Sequence, residues 1–78
     1  MAGKSTIAYW FKVEKRKDLL KDDKIFMVAK KIGIDKHYLS NIINRNMPIK
    51  HKAIAYAITK YTGSELEIED VFDKKDIQ

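Results

Sequence analysis

Residues 25–44 read Ile25-Phe26-Met27-Val28-Ala29-Lys30-Lys31-Ile32-Gly33-Ile34-Asp35-Lys36-His37-Tyr38-Leu39-Ser40-Asn41-Ile42-Ile43-Asn44. Two helices are written into this stretch. Ile25, Val28, Ala29 and Ile32 recur at i, i+3, i+4, i+7, the period of one buried helix face. Leu39, Ile42 and Ile43 repeat the pattern on a shorter scale. Gly33 stands where the first helix must stop, because only glycine enters a left-handed conformation at little cost. Asp35 is an N-cap type, its carboxylate able to accept from backbone N–H groups two or three residues on. The sequence therefore predicts helices over 24–32 and 35–44, joined by a tight turn. So short a link sets the two helices at a steep angle, the arrangement of a helix-turn-helix.

The remaining chain is read outward from this pair. Asp22 or Asp23 is the expected cap of the first helix. Asn46-Met47-Pro48 predicts a loop, since Pro48 cannot continue a helix. Ile54, Ala57, Ile58 and Tyr61 predict a helix over 49–62, closed by Gly63. Ser64 with Glu67 three residues later has the form of a capping box, opening a short last helix through Ile68, Val71 and Phe72. Residues 73–78 are expected as a tail. On the N-terminal side, Ser5 is an available cap for a helix carrying Ile7, Trp10, Phe11 and Val13 and running to Leu19 and Leu20. Aromatic and β-branched residues over 6–13 also suit a strand. The helix is the favoured reading, with Glu14, Lys15, Arg16, Lys17 and Asp18 as its solvated face. The expected fold class is thus all-α, five helices in a single domain: an N-terminal helix or arm over 1–21, the central pair over 24–44, and C-terminal helices over 49–72. Met27, Trp10 and Phe11 are expected in the core.

Composition limits the options. At 78 residues with no Cys, the chain has room for one domain and no disulfide or thiolate metal site. The apolar stretch 7–13 is too short to span a bilayer, so a cytoplasmic protein without membrane contact is expected. Charge is unevenly placed. Residues 1–60 carry 14 of the 16 Lys and Arg and 5 of the 11 Asp and Glu, a balance of +9. Residues 61–78 carry the other 2 and 6, a balance of −4. A basic body suits an anionic polymer, because Lys and Arg release counterions condensed on phosphates.

The second helix has two unlike faces. Opposite Leu39, Ile42 and Ile43 stand His37, Ser40, Asn41 and Asn44, again at i, i+3, i+4, i+7, with Lys36 beside them. A face needed only for solubility is usually Glu and Lys, which are better helix formers. Asn and Ser compete for backbone hydrogen bonds inside a helix. Their presence implies a use for neutral donor–acceptor groups, such as an amide paired to adenine N6 and N7 in the major groove. The plainer alternative is a polar surface with no partner.

With these residues in view, the sequence resembles the helix-turn-helix of the Cro/C1-type, lambda-repressor-like DNA-binding proteins. Ala29 matches the small residue between the helices, Gly33 the turn glycine, and Leu39 and Ile42 the two apolar anchors. Pro48 and the short helix near residue 72 are also similar. The chain departs at Ile25, where a phosphate-contacting Gln is common; Lys24 is the available substitute. The resemblance implies base reading by Lys36, His37, Ser40, Asn41 and Asn44. It implies backbone contacts from Lys24, Arg45, Asn46 and Lys50, which set register without reading sequence.

Catalysis is not expected. Asp35, His37 and Ser40 are the residue types of a hydrolytic triad, but His37 and Ser40 lie on one exposed helix face with no buried orienter or oxyanion hole. His37 and His51 lack metal-ligand spacing, and no Gly-rich loop cradles a phosphate. The expectation is a sequence-specific transcriptional regulator of phage or mobile-element type. It would bind double-stranded DNA as a homodimer, without cofactor or metal. Leu66, Ile68, Val71 and Phe72 are the expected pairing surface; the alternative for these four is that all close the monomer core. The alternative is the same fold used as a protein-interaction module or antagonist, with Tyr38, Tyr56 and Met47 as its contacts.

Overall fold

The computed structural model describes residues 6–77. Strand β1 (Thr6–Phe11) leads through a 3-10 turn (Val13–Lys15) into the one-turn helix α1 (Arg16–Leu19). Helices α2 (Ile25–Ile32), α3 (Lys36–Asn44), α4 (Lys52–Thr62) and α5 (Ile68–Val71) follow, and strand β2 (Phe72–Ile77) ends the fold. The domain is α+β, which overturns the expected all-α class.

The correction lies at the two ends. Residues 6–11 form a strand and not the first helix, and residues 72–77 form its antiparallel partner and not a tail. The register runs from Thr6 opposite Ile77 to Phe11 opposite Phe72. Phe11 and Phe72 meet edge to face with ring centroids 5.6 Å apart, and Tyr9 meets Phe72 similarly at 6.4 Å. Aromatic side chains on alternate strand positions thus share one buried face, a use of period 2 that a helix could not make. The helix expected to run from Ser5 is reduced to α1; Ser5 itself lies outside the described residues.

β1 is held on both edges. Tyr9 and Ile49 exchange backbone hydrogen bonds, 2.8 Å in each direction. Ile49 is therefore extended, and α4 begins three residues later than expected, behind His51. One core joins the sheet to the helices. Leu19, Val28, Leu39, Ile42, Ile49, Ile58, Val71 and Phe72 are all nearly inaccessible. Phe11 is buried with them, while Trp10 and Met27 are half-buried. Val71 and Phe72, expected on a dimer surface, instead seal the monomer, and Leu66 and Ile68 pack partly buried against the same core.

The central pair follows the sequence closely. Gly33 has φ +92°. The N–H groups of Gly33 and Ile34 both donate to the carbonyl of Ala29, at 2.8 and 2.9 Å, which closes the end of α2. Asp35 caps α3 with its carboxylate, accepting from the N–H groups of His37 at 2.8 Å and Tyr38 at 3.2 Å. Two other caps differ from expectation. Lys24 precedes α2 without a side-chain cap, and Asp23 is engaged elsewhere. Ser64 does not open α5; there the Asp70 carboxylate accepts from the N–H of Glu67 at 2.8 Å.

Asp23 accepts from the Tyr61 hydroxyl on α4 and from the Lys31 ammonium at 2.9 Å on α2. These two donors, Tyr61 first, hold the Asp23 carboxyl below its ordinary value. The same contacts raise the Tyr61 phenol and the Lys31 ammonium above theirs. The loop before α2 is thereby latched to α4. Among the described residues, no helix is long and apolar enough to cross a membrane.

Candidate nucleic-acid interface

α3 is anchored from below and capped from behind. Leu39, Ile42 and Ile43 are buried against α2, β1 and the core. Asp35 fixes the first turn. A helix held in this way presents its other face as a rigid surface. Lys36, His37 and Asn44 on that face are exposed, and Ser40 and Asn41 are half-buried.

The first part of this face borders an open groove of about 510 Å³, lined by Arg16, Leu20, Lys24, Ile25, Phe26, Lys36, His37 and Ser40. Its lining is largely apolar, three of its residues are Lys or Arg, and no carboxylate lines it. The potential in such a cleft favours an anion, with apolar walls that concentrate the field. The structure therefore brings Lys24 together with Lys36, His37 and Ser40, as the sequence reading placed them on one interface. Phe26, 54% exposed at the first turn of α2, joins them without having been expected there.

The far end of α3 is organised by a residue that sequence reasoning assigned to a plain solvated face. Arg16 on α1 donates from Nε to the Asn44 side-chain carbonyl at 3.0 Å. Asn44 in turn donates from Nδ2 to Ser40 Oγ at 3.2 Å. Ser40 and Asn44 are one turn apart, so their bond follows from helix geometry. The Arg16 contact does not, since it depends on how α1 is folded against α3. No local signal in the sequence indicates it.

The other backbone candidates are more scattered. Arg45 and Lys50 are exposed, Arg45 capping the end of α3 and Lys50 in the extended segment before α4 rather than at the helix start. Asn46 takes a left-handed conformation, φ 55°, which asparagine tolerates better than most residues. It lines a hollow with Trp10, Asp73 and Lys75, beside the sheet. It also lines a second hollow with Asn44, Glu14 and Asp73, and the carboxylates in both work against a phosphate contact at Asn46.

Among the described residues, no group of three or more His, Asp or Glu side chains is arranged to hold a metal ion. Of the aromatic and sulfur contacts considered for a protein interface, Tyr56 is 53% exposed, whereas Tyr38 and Met47 are partly buried against the core.

No protein-family model, curated protein or solved structure matches the chain.

Proposed function

We propose that this protein is a sequence-specific binder of double-stranded DNA that reads the major groove with α3 and acts as a transcriptional regulator. One observation carries the reading. α3 is fixed in the core by Leu39, Ile42 and Ile43, and its other face carries His37, Ser40, Asn41 and Asn44, of which His37 and Ser40 line a cationic groove. Neutral amides and a hydroxyl supply the donors and acceptors that distinguish base edges. Lys24 supplies charge for an adjoining phosphate, and Lys36 and Arg16 make the groove beside the reading face cationic. The role is binding, not catalysis, and needs no metal or cofactor.

The finer reading is a regulator of phage or mobile-element type, similar to Cro/C1-type proteins, working in the cytoplasm where its DNA lies. A single recognition helix spans few base pairs, so two copies on a near-palindromic site, about 34 Å apart, supply the specificity. Their contact is not made by Val71 and Phe72, which are committed to the monomer core.

Selection of bound duplexes from random DNA tests the proposal. Enrichment of one motif, with a scrambled duplex bound far more weakly, is the expected result. Binding that ignores sequence, or no binding at low salt, overturns it. A protein-docking role has one observation of its own, the exposed Phe26 and Tyr56, and becomes the better reading in that event.

A further inference from the structure

Arg16 uses only its Nε–H on Asn44. The opposite edge of a guanidinium carries two further N–H donors in a planar fork. Asn44 has its carbonyl occupied by Arg16 and one amide hydrogen directed at Ser40. One lone pair of that carbonyl and one amide hydrogen remain, so the bond to Arg16 adds donors to this amide without removing its own. The pair as a whole therefore carries a surplus of donors, those of the Arg16 fork. Asn41, one turn before Arg45, has a side chain that makes no hydrogen bond among the described residues, and its donor and acceptor remain available.

We infer that Arg16, held in plane by Asn44, is a specificity-determining residue that reads guanine, while Asn41 reads adenine. The inference rests on the DNA-binding reading above. Guanine presents two acceptors, O6 and N7, on its major-groove edge, and a guanidinium fork matches them in pairs. A phosphate would also accept from Arg16, but a point attraction does not require the side chain to be held. A planar fork locked to an amide of the reading face has lost rotamer freedom before the ligand arrives. That loss serves a contact with a fixed direction. Arg16 also lines the same groove as Lys36, His37 and Ser40, so it shares one side of the domain with α3.

The test uses the whole chain and the duplex enriched from random DNA. Each guanine in that duplex is replaced in turn by 7-deazaguanine, which removes the N7 acceptor, and binding is titrated for wild type, Arg16→Ala and Arg16→Lys. At one guanine per half-site, the base analogue should weaken wild type by roughly 5- to 150-fold, the range for a good bidentate contact. It should weaken Arg16→Ala little, because that variant has no guanidinium to meet the N7. Arg16→Lys keeps the charge and can still donate to guanine, but without the planar fork, so its response to the base analogue should lie between those of wild type and Arg16→Ala while its salt dependence stays that of wild type. Circular dichroism melts show that the variants fold. Losses that simply add, or an Arg16→Ala effect equal on selected and scrambled duplexes with a lower salt slope, would make Arg16 a phosphate contact and overturn the inference alone. Failure of wild type to enrich any sequence would overturn the DNA-binding reading and this inference together.

Discussion

Tyr9 in β1 and Ile49 in the segment between α3 and α4 exchange reciprocal backbone hydrogen bonds of 2.8 Å. This pair ties the N-terminal strand to the chain leaving α3. Ile49 is also fully buried, so Ile49→Ala should cost about 2–5 kcal/mol, the range for emptying a packed core site. Urea unfolding measures it. The Tyr9 and Ile49 amides should also be among the slowest to exchange with deuterium, and fast exchange at both would disprove the pairing.

Asn41→Ala should weaken binding to a selected duplex by about 1–3 kcal/mol and leave a scrambled duplex nearly unaffected, if its free amide pairs with one base. Titration against the two duplexes gives the answer. An equal loss on both would remove Asn41 from base reading.

Lys24→Ala, Arg45→Ala and Lys50→Ala should each lower affinity for every sequence. Each should also reduce the slope of log K against log salt by about one, as expected when one phosphate is no longer neutralised. Asn46→Ala should leave the slope unchanged, since Asn46 carries no charge to neutralise a phosphate. A slope that moves for Asn46 and not for Lys24 would invert this assignment.

The latch of Asp23, Tyr61 and Lys31 gives stability a pH dependence at both extremes. Asp23 titrates below its ordinary 3.8 when folded. Its contribution is therefore complete above that value and is lost as pH falls through the lowered one. Tyr61 and Lys31 titrate above their ordinary 10.0 and 10.5. Their contributions hold below those values and are lost as pH rises through the raised ones. The difference in melting temperature between wild type and Tyr61→Phe should be level near neutrality and shrink toward acid and toward strong alkali. A difference unchanged down to about pH 2 would show that the carboxylate is not the partner.

Val71→Glu should unfold the domain and not merely separate two copies. Val71 is fully inaccessible, and an unpaired carboxylate there costs several kcal/mol, a large share of the total stability of about 5–15 kcal/mol usual for a domain. Circular dichroism and sedimentation distinguish the outcomes. A folded monomer would restore Val71 to a pairing surface.

The features legible in the sequence are those that local chemistry decides. Gly33 ends α2 because its left-handed turn needs no help from distant residues, and Asp35 caps α3 with groups two and three positions away. The apolar face of α3 is equally plain. β2 is not. Its run Asp73-Lys74-Lys75-Asp76 is exposed throughout and shows no alternation of buried and solvated residues. It is a strand because β1 offers hydrogen-bonding partners from the other end of the chain. β1 itself carries the aromatic and β-branched signal, but a helical spacing that the structure leaves unused outweighs it. Asp23 illustrates the same limit on a smaller scale, a carboxylate of capping type drawn away by Tyr61 on a distant helix. In the candidate site, the α3 stripe and Lys24 are readable, whereas Arg16 and Phe26 depend on tertiary placement.

The pairing of Thr6 with Ile77 has a consequence for the connectivity of the domain. The first and last described residues sit side by side, so the polypeptide path is nearly a ring. A short flexible bridge between them should permit head-to-tail cyclisation with little distortion, and the break could then be moved to an exposed loop such as that at Ser64 and Glu65. A segment joined directly at Thr6 and one joined directly at Ile77 would leave from one shared corner. Two such attachments would therefore crowd each other, and a single one could be moved between the two positions without changing where it emerges.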